Sequence, residues 1–137
     1  MIHYLLDTPV VSELRKPKPH AAVVAWLQTL HDDQIYISTV TIGELQRGME
    51  RARRQNADKA REIEIWLDQM EASRNLISMD AACFREWARL MERTSEHLLG
   101  ENAMIAATAR VHRLKVATRR TSDFALLGVD LFNPFKH

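Results

Sequence analysis

Three acidic side chains and one amide are spaced along the chain so that a fold could gather them into one cation site. Each follows a short apolar segment or opens a helical one, and the four residues are Asp7, Glu44, Asn102 and Asp123. Carboxylate and amide oxygens are hard ligands, and Mg²⁺ or Mn²⁺ bound by a few of them keeps several waters in its shell. A cation held in this way can activate water and stabilise the charge that develops on a phosphodiester. The four side chains are therefore candidate metal ligands and catalytic groups.

These residues can meet only if the elements between them fold back repeatedly. Strand-like segments at 2–6, 35–38, 76–79, 114–118 and 130–132 alternate with longer helical ones. Such alternation predicts right-handed crossovers and a mainly parallel central sheet flanked by helices, which is an α/β fold. Ligands of open parallel sheets bind beyond the carboxyl ends of the strands, where the four candidates are expected. The region 41–98 is expected to form a helical arm partly outside the sheet layer.

One helix of that region is specified by its cap and its apolar stripe. Asp80 is expected to cap a helix whose inner face carries Phe84, Trp87, Met91 and Leu98. The capping residue and the helical spacing of the large apolar side chains both favour this assignment.

Size and composition set broad limits. The chain has 137 residues, which suits one domain over 1–137. With 19 basic and 18 acidic side chains, the net charge neither requires nor excludes a nucleic-acid partner. The single cysteine, Cys83, cannot form an internal disulfide, which favours a reduced, cytoplasmic setting. No apolar run is long enough to span a bilayer, so no membrane partner is expected.

Each candidate also has a purely structural interpretation. Asp7 could cap the short helix that follows it, and Thr41 with Glu44 matches the capping box of a helix N-terminus. Asp123 could cap a turn, and Asn102 suits the first turn of a helix. The functional interpretation therefore depends on the four positions taken together.

Four segments of the chain resemble the sequence blocks of a known family. They are LLDTPVVSEL at 5–14, STVTIGELQRG at 38–48, NAMIAATA at 102–109 and VATRRTSDF at 116–124. Together they resemble PIN-domain proteins, specifically the VapC-type toxins of bacterial toxin–antitoxin pairs. The blocks occur in the family's order and span nearly the whole chain.

The resemblance implies a fold, an activity and partners. It implies a PIN fold, Mg²⁺ or Mn²⁺ held by the acidic cluster, and cleavage of RNA. It also implies a homodimer, inhibition by a cognate VapB-type antitoxin, and binding of promoter DNA only through the antitoxin complex. Arg119 and Arg120, which adjoin Asp123, are candidate RNA contacts, and Lys16, on a loop near Asp7, is a further one.

Three positions depart from the family pattern. Pro9 and Arg120 stand where the family often has asparagine, and proline is well tolerated in a first helical turn. Asn102 stands where the third block normally begins with aspartate, and this departure removes a negative charge. A unit charge about 4 Å from a cation contributes roughly 4 kcal/mol per unit of opposite charge at an effective dielectric near 20, so metal affinity should fall.

Three explanations of Asn102 remain open. It is an engineered replacement that disarms a toxic nuclease, or a natural variant with weak or lost activity, or a position whose role passes to Glu101. The first two are favoured, because adjacent side chains on a helix point about 100° apart. Asn102 also favours an alternative function, a catalytically silent PIN-like subunit that holds the antitoxin and regulates transcription. A phosphatase of the α/β type is disfavoured because Pro9 occupies the position of its second aspartate.

Overall fold

The computed structural model describes residues 1–73, 75–94 and 100–137. These residues form a five-stranded sheet in the order β3-β2-β1-β4-β5, and every neighbouring pair is parallel. The strands are β1 Tyr4–Leu6, β2 Ile35–Ser38, β3 Asn75–Ile77, β4 Lys115–Ala117 and β5 Leu131–Phe132. The predicted α/β class and the positions of all five strands are confirmed.

Helices cover both faces of this sheet. They are α1 Thr8–Glu13, α2 Ala21–Gln28, α3 Thr39–Arg53, α4 Ala57–Ser73, α5 Ala81–Arg93, α6 Gly100–His112 and α7 Thr121–Phe124. Successive side chains of a strand point to opposite faces, so β1 contributes Tyr4 and Leu6 to one apolar cluster and Leu5 to the other. The alanine-rich helix α6 packs closely over the Leu5 side.

Much of the region 41–98, which was predicted to form a helical arm partly outside the sheet layer, belongs to the sheet and its core. Helices α3 and α4 pack against each other, and Leu67 and Met70 of α4 are buried in the core. Strand β3 then pairs with β2, and α5 packs on α6. Only the pairing of α3 with α4 matches the predicted arm.

Helix α5 begins at its predicted cap but presents a different face from the one expected. Asp80 accepts a hydrogen bond from the Cys83 backbone N–H at 3.0 Å, so the cap is confirmed. Phe84 is 47% exposed, so its assignment to the inner face is wrong. Trp87 is partly buried, and Leu98 lies outside the described residues. Among the described residues, no helix is both long and apolar enough to cross a membrane.

The last residue of α1, Glu13, is buried and accepts hydrogen bonds from the segment that follows the helix. Glu13 accepts hydrogen bonds from Lys16 Nζ and from the His20 backbone N–H, each at 2.9 Å. The hydrogen bond from Lys16 lowers the pKa of Glu13; burial opposes this, while the His20 N–H and the charges of Lys16 and Arg119 add to it. Lys16, predicted as an RNA contact, thus has a partner within the protein.

Replacing Glu13 by Gln should lower the Tm at pH 7 by a few degrees. Because the pKa of Glu13 is lower in the folded chain than its ordinary value of 4.5, its carboxylate stabilises the fold above that pH. This contribution is lost as the pH falls through the folded-state pKa, so the Tm difference between Glu13→Gln and the parent chain should shrink below pH 4.5. Thermal unfolding between pH 3 and 7 measures it, with the exposed Glu71→Gln as control. A Tm difference that is constant over this range would contradict the assignment.

Candidate metal centre

Asp7 lies at the carboxyl end of the central strand and also caps α1. Its backbone N–H donates to the Ala117 carbonyl at 2.9 Å, which extends the ladder between β1 and β4. Its Oδ1 accepts from the Thr8 backbone N–H at 2.8 Å. The capping interpretation is therefore correct, and it does not compete with the functional one, because the cap itself places the carboxylate at the predicted edge.

The carboxylate of Asp7 is fully buried and accepts four hydrogen bonds. Besides Thr8, the donors are Thr118 Oγ1 to Oδ2 at 2.7 Å, and two guanidinium nitrogens of Arg120. One of these bonds joins the terminal nitrogen of Arg120 to Oδ1 at 2.8 Å and the other joins Nε to Oδ2 at 3.1 Å. A carboxylate offers about four lone-pair positions, so this set of donors uses them all.

Thr118 orients both partners of this ion pair. It follows β4, the strand beside β1, and its hydroxyl oxygen accepts from the Arg120 backbone N–H at 2.9 Å. Its own proton is therefore directed at Asp7. Two chain segments, 7–8 and 118–120, thus meet at one carboxylate.

Glu44 reaches the same edge from α3. This helix is capped by Ser38, whose Oγ accepts from the Val40 backbone N–H at 3.0 Å, so the capping-box interpretation of Thr41 and Glu44 is wrong. Thr41 lies inside the helix, and its hydroxyl contacts that of Thr8 at 3.0 Å. The Thr8 hydroxyl lies 3.2 Å from Glu44 Oε1, to which it can donate. Thr8 therefore bridges Glu44 to the segment that carries Asp7.

The surroundings of Glu44 favour its neutral form. Burial raises its pKa, and the charges of Asp7 and Glu101 act in the same direction, against the hydrogen bond from Thr8 and the charge of Arg120. Glu44 and Glu101 also line a cavity of about 370 Å³ between α3 and the first turn of α6. Glu101, which the sequence offered as a substitute ligand, instead pairs with Arg47 at 3.7 Å.

Asn102 and Asp123 lie on two different helices. Asn102 is in the first turn of α6, as expected, and is only 3% exposed. Asp123 is exposed and lies inside α7, where its N–H donates to the Arg120 carbonyl at 3.0 Å. The interpretation of Asp123 as a turn cap is therefore wrong.

The guanidinium of Arg120 lies among the predicted acidic ligands. Burial acts to lower the pKa of Arg120, but the hydrogen bonds that Arg120 donates to Asp7 and the charges of Asp7, Glu44 and Asp123 outweigh it and the pKa is raised. The structure thus brings three of the four candidates into the electrostatic environment of one positive charge. That charge belongs to the protein itself.

With Arg120 bound to Asp7, this arrangement leaves no room for a divalent cation on that carboxylate. The candidate ligands have suitable oxygen chemistry, but the lone pairs of Asp7 are taken by Thr8, Thr118 and Arg120. Within the described ranges, no three His, Cys, Asp or Glu side chains are placed to hold a metal ion. The expectation of an open cation site therefore differs from the structure, because charge complementarity draws Arg120 inward.

Sequence reasoning did not identify the groups that hold Asp7. Thr8 directly follows Asp7, and Thr118 follows the strand next to β1, so their positions alone could have suggested hydrogen bonds to it. Arg120, which stays a predicted RNA contact, also binds Asp7. The Arg119 guanidinium stacks on Phe135 at 3.8 Å from the ring centre.

Comparison with known proteins agrees with this fold. The PIN-domain family model matches residues 4–127. The chain belongs to the PIN-domain family. It is 35% identical to VapC ribonuclease Y4jK of Sinorhizobium fredii, a match that covers 96% of this chain and 97% of that protein. It is also 35% identical to toxin FitB of Neisseria gonorrhoeae, over 96% of this chain and 97% of FitB. This PIN domain is therefore of the VapC toxin type.

Solved structures show the same relationship in three dimensions. The PIN domain superposes on FitAcB from Neisseria gonorrhoeae with a TM-score of 0.79 and 31% identity, covering 98% of this chain and 99% of that chain. A DNA-bound VapBC from Salmonella typhimurium gives a TM-score of 0.78 at 20% identity, over 98% and 99% of the two chains. The second match shows the common fold alone.

Proposed function

We propose that this chain is the toxin subunit of a VapBC-type pair and a Mg²⁺- or Mn²⁺-dependent endoribonuclease. Its catalytic centre consists of Asp7, Glu44, Asp123 and the position of Asn102, and residues 1–137 form one PIN domain. The observation that carries the proposal is the position of Asp7 and Glu44 at one end of the sheet, where Thr8 hydrogen-bonds both carboxylates. The name of the relative VapC ribonuclease Y4jK supports RNA as the substrate.

The chain's own residues prepare this centre. Thr8 and Thr118 fix the carboxylate of Asp7, and Thr8 also fixes Glu44 relative to it. Such preorganisation lowers the reorganisation needed when charge develops during a reaction. The proposal includes metal dependence because the oxygen atoms of the four side chains are suitable ligands for Mg²⁺ or Mn²⁺. Binding of the metal at Asp7 requires a conformation in which Arg120 no longer binds that carboxylate.

The proposed partners follow from the structural relatives. They include FitAB bound to a DNA fragment and VapBC2 from Rickettsia felis bound to a DNA fragment from its promoter. We infer a cognate VapB-type antitoxin, a homodimer, promoter contact only through the antitoxin complex, and a cytoplasmic location. Lys16, Arg119 and Arg120 remain the proposed RNA contacts.

A second candidate is a catalytically silent PIN-like subunit that only binds the antitoxin. Two observations favour it. Asn102 lacks the charge of the family's aspartate, and Arg120 occupies the carboxylate of Asp7. In this case the toxin fold would serve assembly and transcriptional regulation alone.

Cleavage of a labelled RNA tests the proposal, with the Asn102→Asp variant as the reference. We expect cleavage that needs Mg²⁺ and stops with EDTA, and a loss of roughly a hundredfold when Glu44→Gln is added. Glu62→Gln, an exposed change on α4, is the matched control and should cleave like the reference. Equal cleavage with and without Glu44 would contradict the assigned centre. If the parent chain itself neither cleaves RNA nor arrests growth, whatever the reference does, the silent subunit is the correct function of this chain.

A further inference from the structure

The positive charge at the centre of the acidic cluster comes from a residue that departs from the family pattern. Arg120 binds both oxygens of Asp7, with N···O distances of 2.8 and 3.1 Å. We propose that the guanidinium of Arg120 occupies the cation position of this centre and prevents divalent cations from binding Asp7 until the Arg120 side chain moves away from that carboxylate. This inference rests on the proposed function, because it concerns the same acidic centre.

Asp7 and Arg120 differ in burial, and Arg120 is the member of the pair that solvent reaches. The side chain of Asp7 is 0% exposed, whereas that of Arg120 is 26% exposed. The guanidinium therefore separates the carboxylate from solvent and has an outward path of its own. A cation arriving from solvent must displace it, because a bidentate guanidinium contact leaves neither oxygen open on that side.

The charge at the centre also disfavours metal binding. Asn102 removes one negative charge relative to the family pattern, and Arg120 adds one positive charge where the family often has asparagine. Both departures act in the same direction on a divalent cation, and the charge of Arg120 acts at short range, 2.8 Å from Asp7. Together they make the guanidinium the better partner for Asp7.

The backbone at Arg120 is held independently of its side chain. Its N–H donates to Thr118 Oγ1 at 2.9 Å, and its carbonyl accepts from the Asp123 N–H at 3.0 Å. The guanidinium can therefore rotate outward while the loop and the start of α7 stay in place. For the same reason, a substitution of the side chain should leave this backbone intact.

Titration with Mn²⁺ tests the inference on the purified, metal-stripped chain. We expect Arg120→Asn to bind Mn²⁺ at least tenfold more tightly than the parent chain in calorimetry. Added Mn²⁺ should raise the Tm of this variant and leave that of the parent nearly unchanged. Arg113→Asn is the matched control, since it removes the same charge beside the start of β4, at the opposite edge of the sheet, where asparagine tolerates the positive φ of 57°.

The outcomes separate this inference from the proposed function. Equal Mn²⁺ affinity of the parent chain and Arg120→Asn would overturn it, as would an equal gain in Arg113→Asn. If Arg120→Asn does not fold, Arg120→Lys serves instead: it keeps the charge, loses the bidentate contact and should show a smaller gain in affinity. This titration does not measure RNA cleavage. A failure to cleave RNA would therefore overturn the proposed function, while the Mn²⁺ affinities would still decide the role of Arg120.

Discussion

Replacing Asn102 by aspartate should raise Mg²⁺ affinity and RNA cleavage by roughly ten- to a hundredfold. The side chain is almost fully buried in the first turn of α6, where a carboxylate restores a charge that solvent screens weakly. The full Coulomb term would be larger, and the hydration of the cation reduces it. Cleavage of labelled RNA against Mg²⁺ concentration, together with growth arrest on induction, measures the effect.

Asn56→Asp is the matched control for this prediction. Asn56 accepts the Lys59 N–H at 3.1 Å at the start of α4, where an added negative charge suits the helix N-terminus. The control should therefore fold at least as well as the parent chain and cleave RNA at the parent rate. If Asn102→Asp also matches the parent, position 102 is not part of the centre.

Breaking the ion pair between Asp7 and Arg120 should give the largest loss of stability. Asp7→Asn is expected to lower the unfolding free energy by about 2–4 kcal/mol, because it removes a buried charge that holds two guanidinium bonds. Arg120→Asn should cost a similar amount, roughly 2–4 kcal/mol, since it leaves the fully buried carboxylate of Asp7 without its charged partner. Urea unfolding of both variants measures these losses.

The double variant distinguishes a direct interaction from two separate effects. If the pair interacts as the structure shows, the losses should fall short of additivity by about 1–3 kcal/mol. The exposed pair of Arg53 and Glu50, at 3.0 Å, is the comparison and should show little coupling. Additive losses for Asp7 and Arg120 would contradict the ion pair.

The placement of Asp7 was predictable because it depends on strand topology. An apolar segment followed by an acid and a proline-containing helix predicts a carboxylate at the strand end, and β1 and α1 have that arrangement. The same rule placed Glu44 near the edge, although its local motif suggested a cap. Ser38 caps α3 three residues before Thr41, so Thr41 and Glu44 lie inside the helix and do not cap it. The Glu44 carboxylate is therefore available to the Thr8 hydroxyl.

The pairing of Arg120 with Asp7 was not predictable from local pattern. The two residues are 113 positions apart, and a surface arginine next to an expected nuclease centre suggests RNA equally well. Only the side-chain conformation shows which anion Arg120 binds. The exposure of Phe84 was not predicted for a similar reason. Helical spacing identifies a stripe of apolar side chains on α5, but it does not show how much of that stripe the neighbouring elements cover.

The wide sequence separation within the centre has a consequence for how the protein is made. Asp7 emerges early from the ribosome, and its partners Thr118 and Arg120 follow 111 and 113 residues later. Strand β1 lies between β2 and β4, so it gains its second neighbour only when β4 has been synthesised. The acidic centre can therefore form only after residue 120 has been synthesised, and a nascent chain that has not reached this point lacks it.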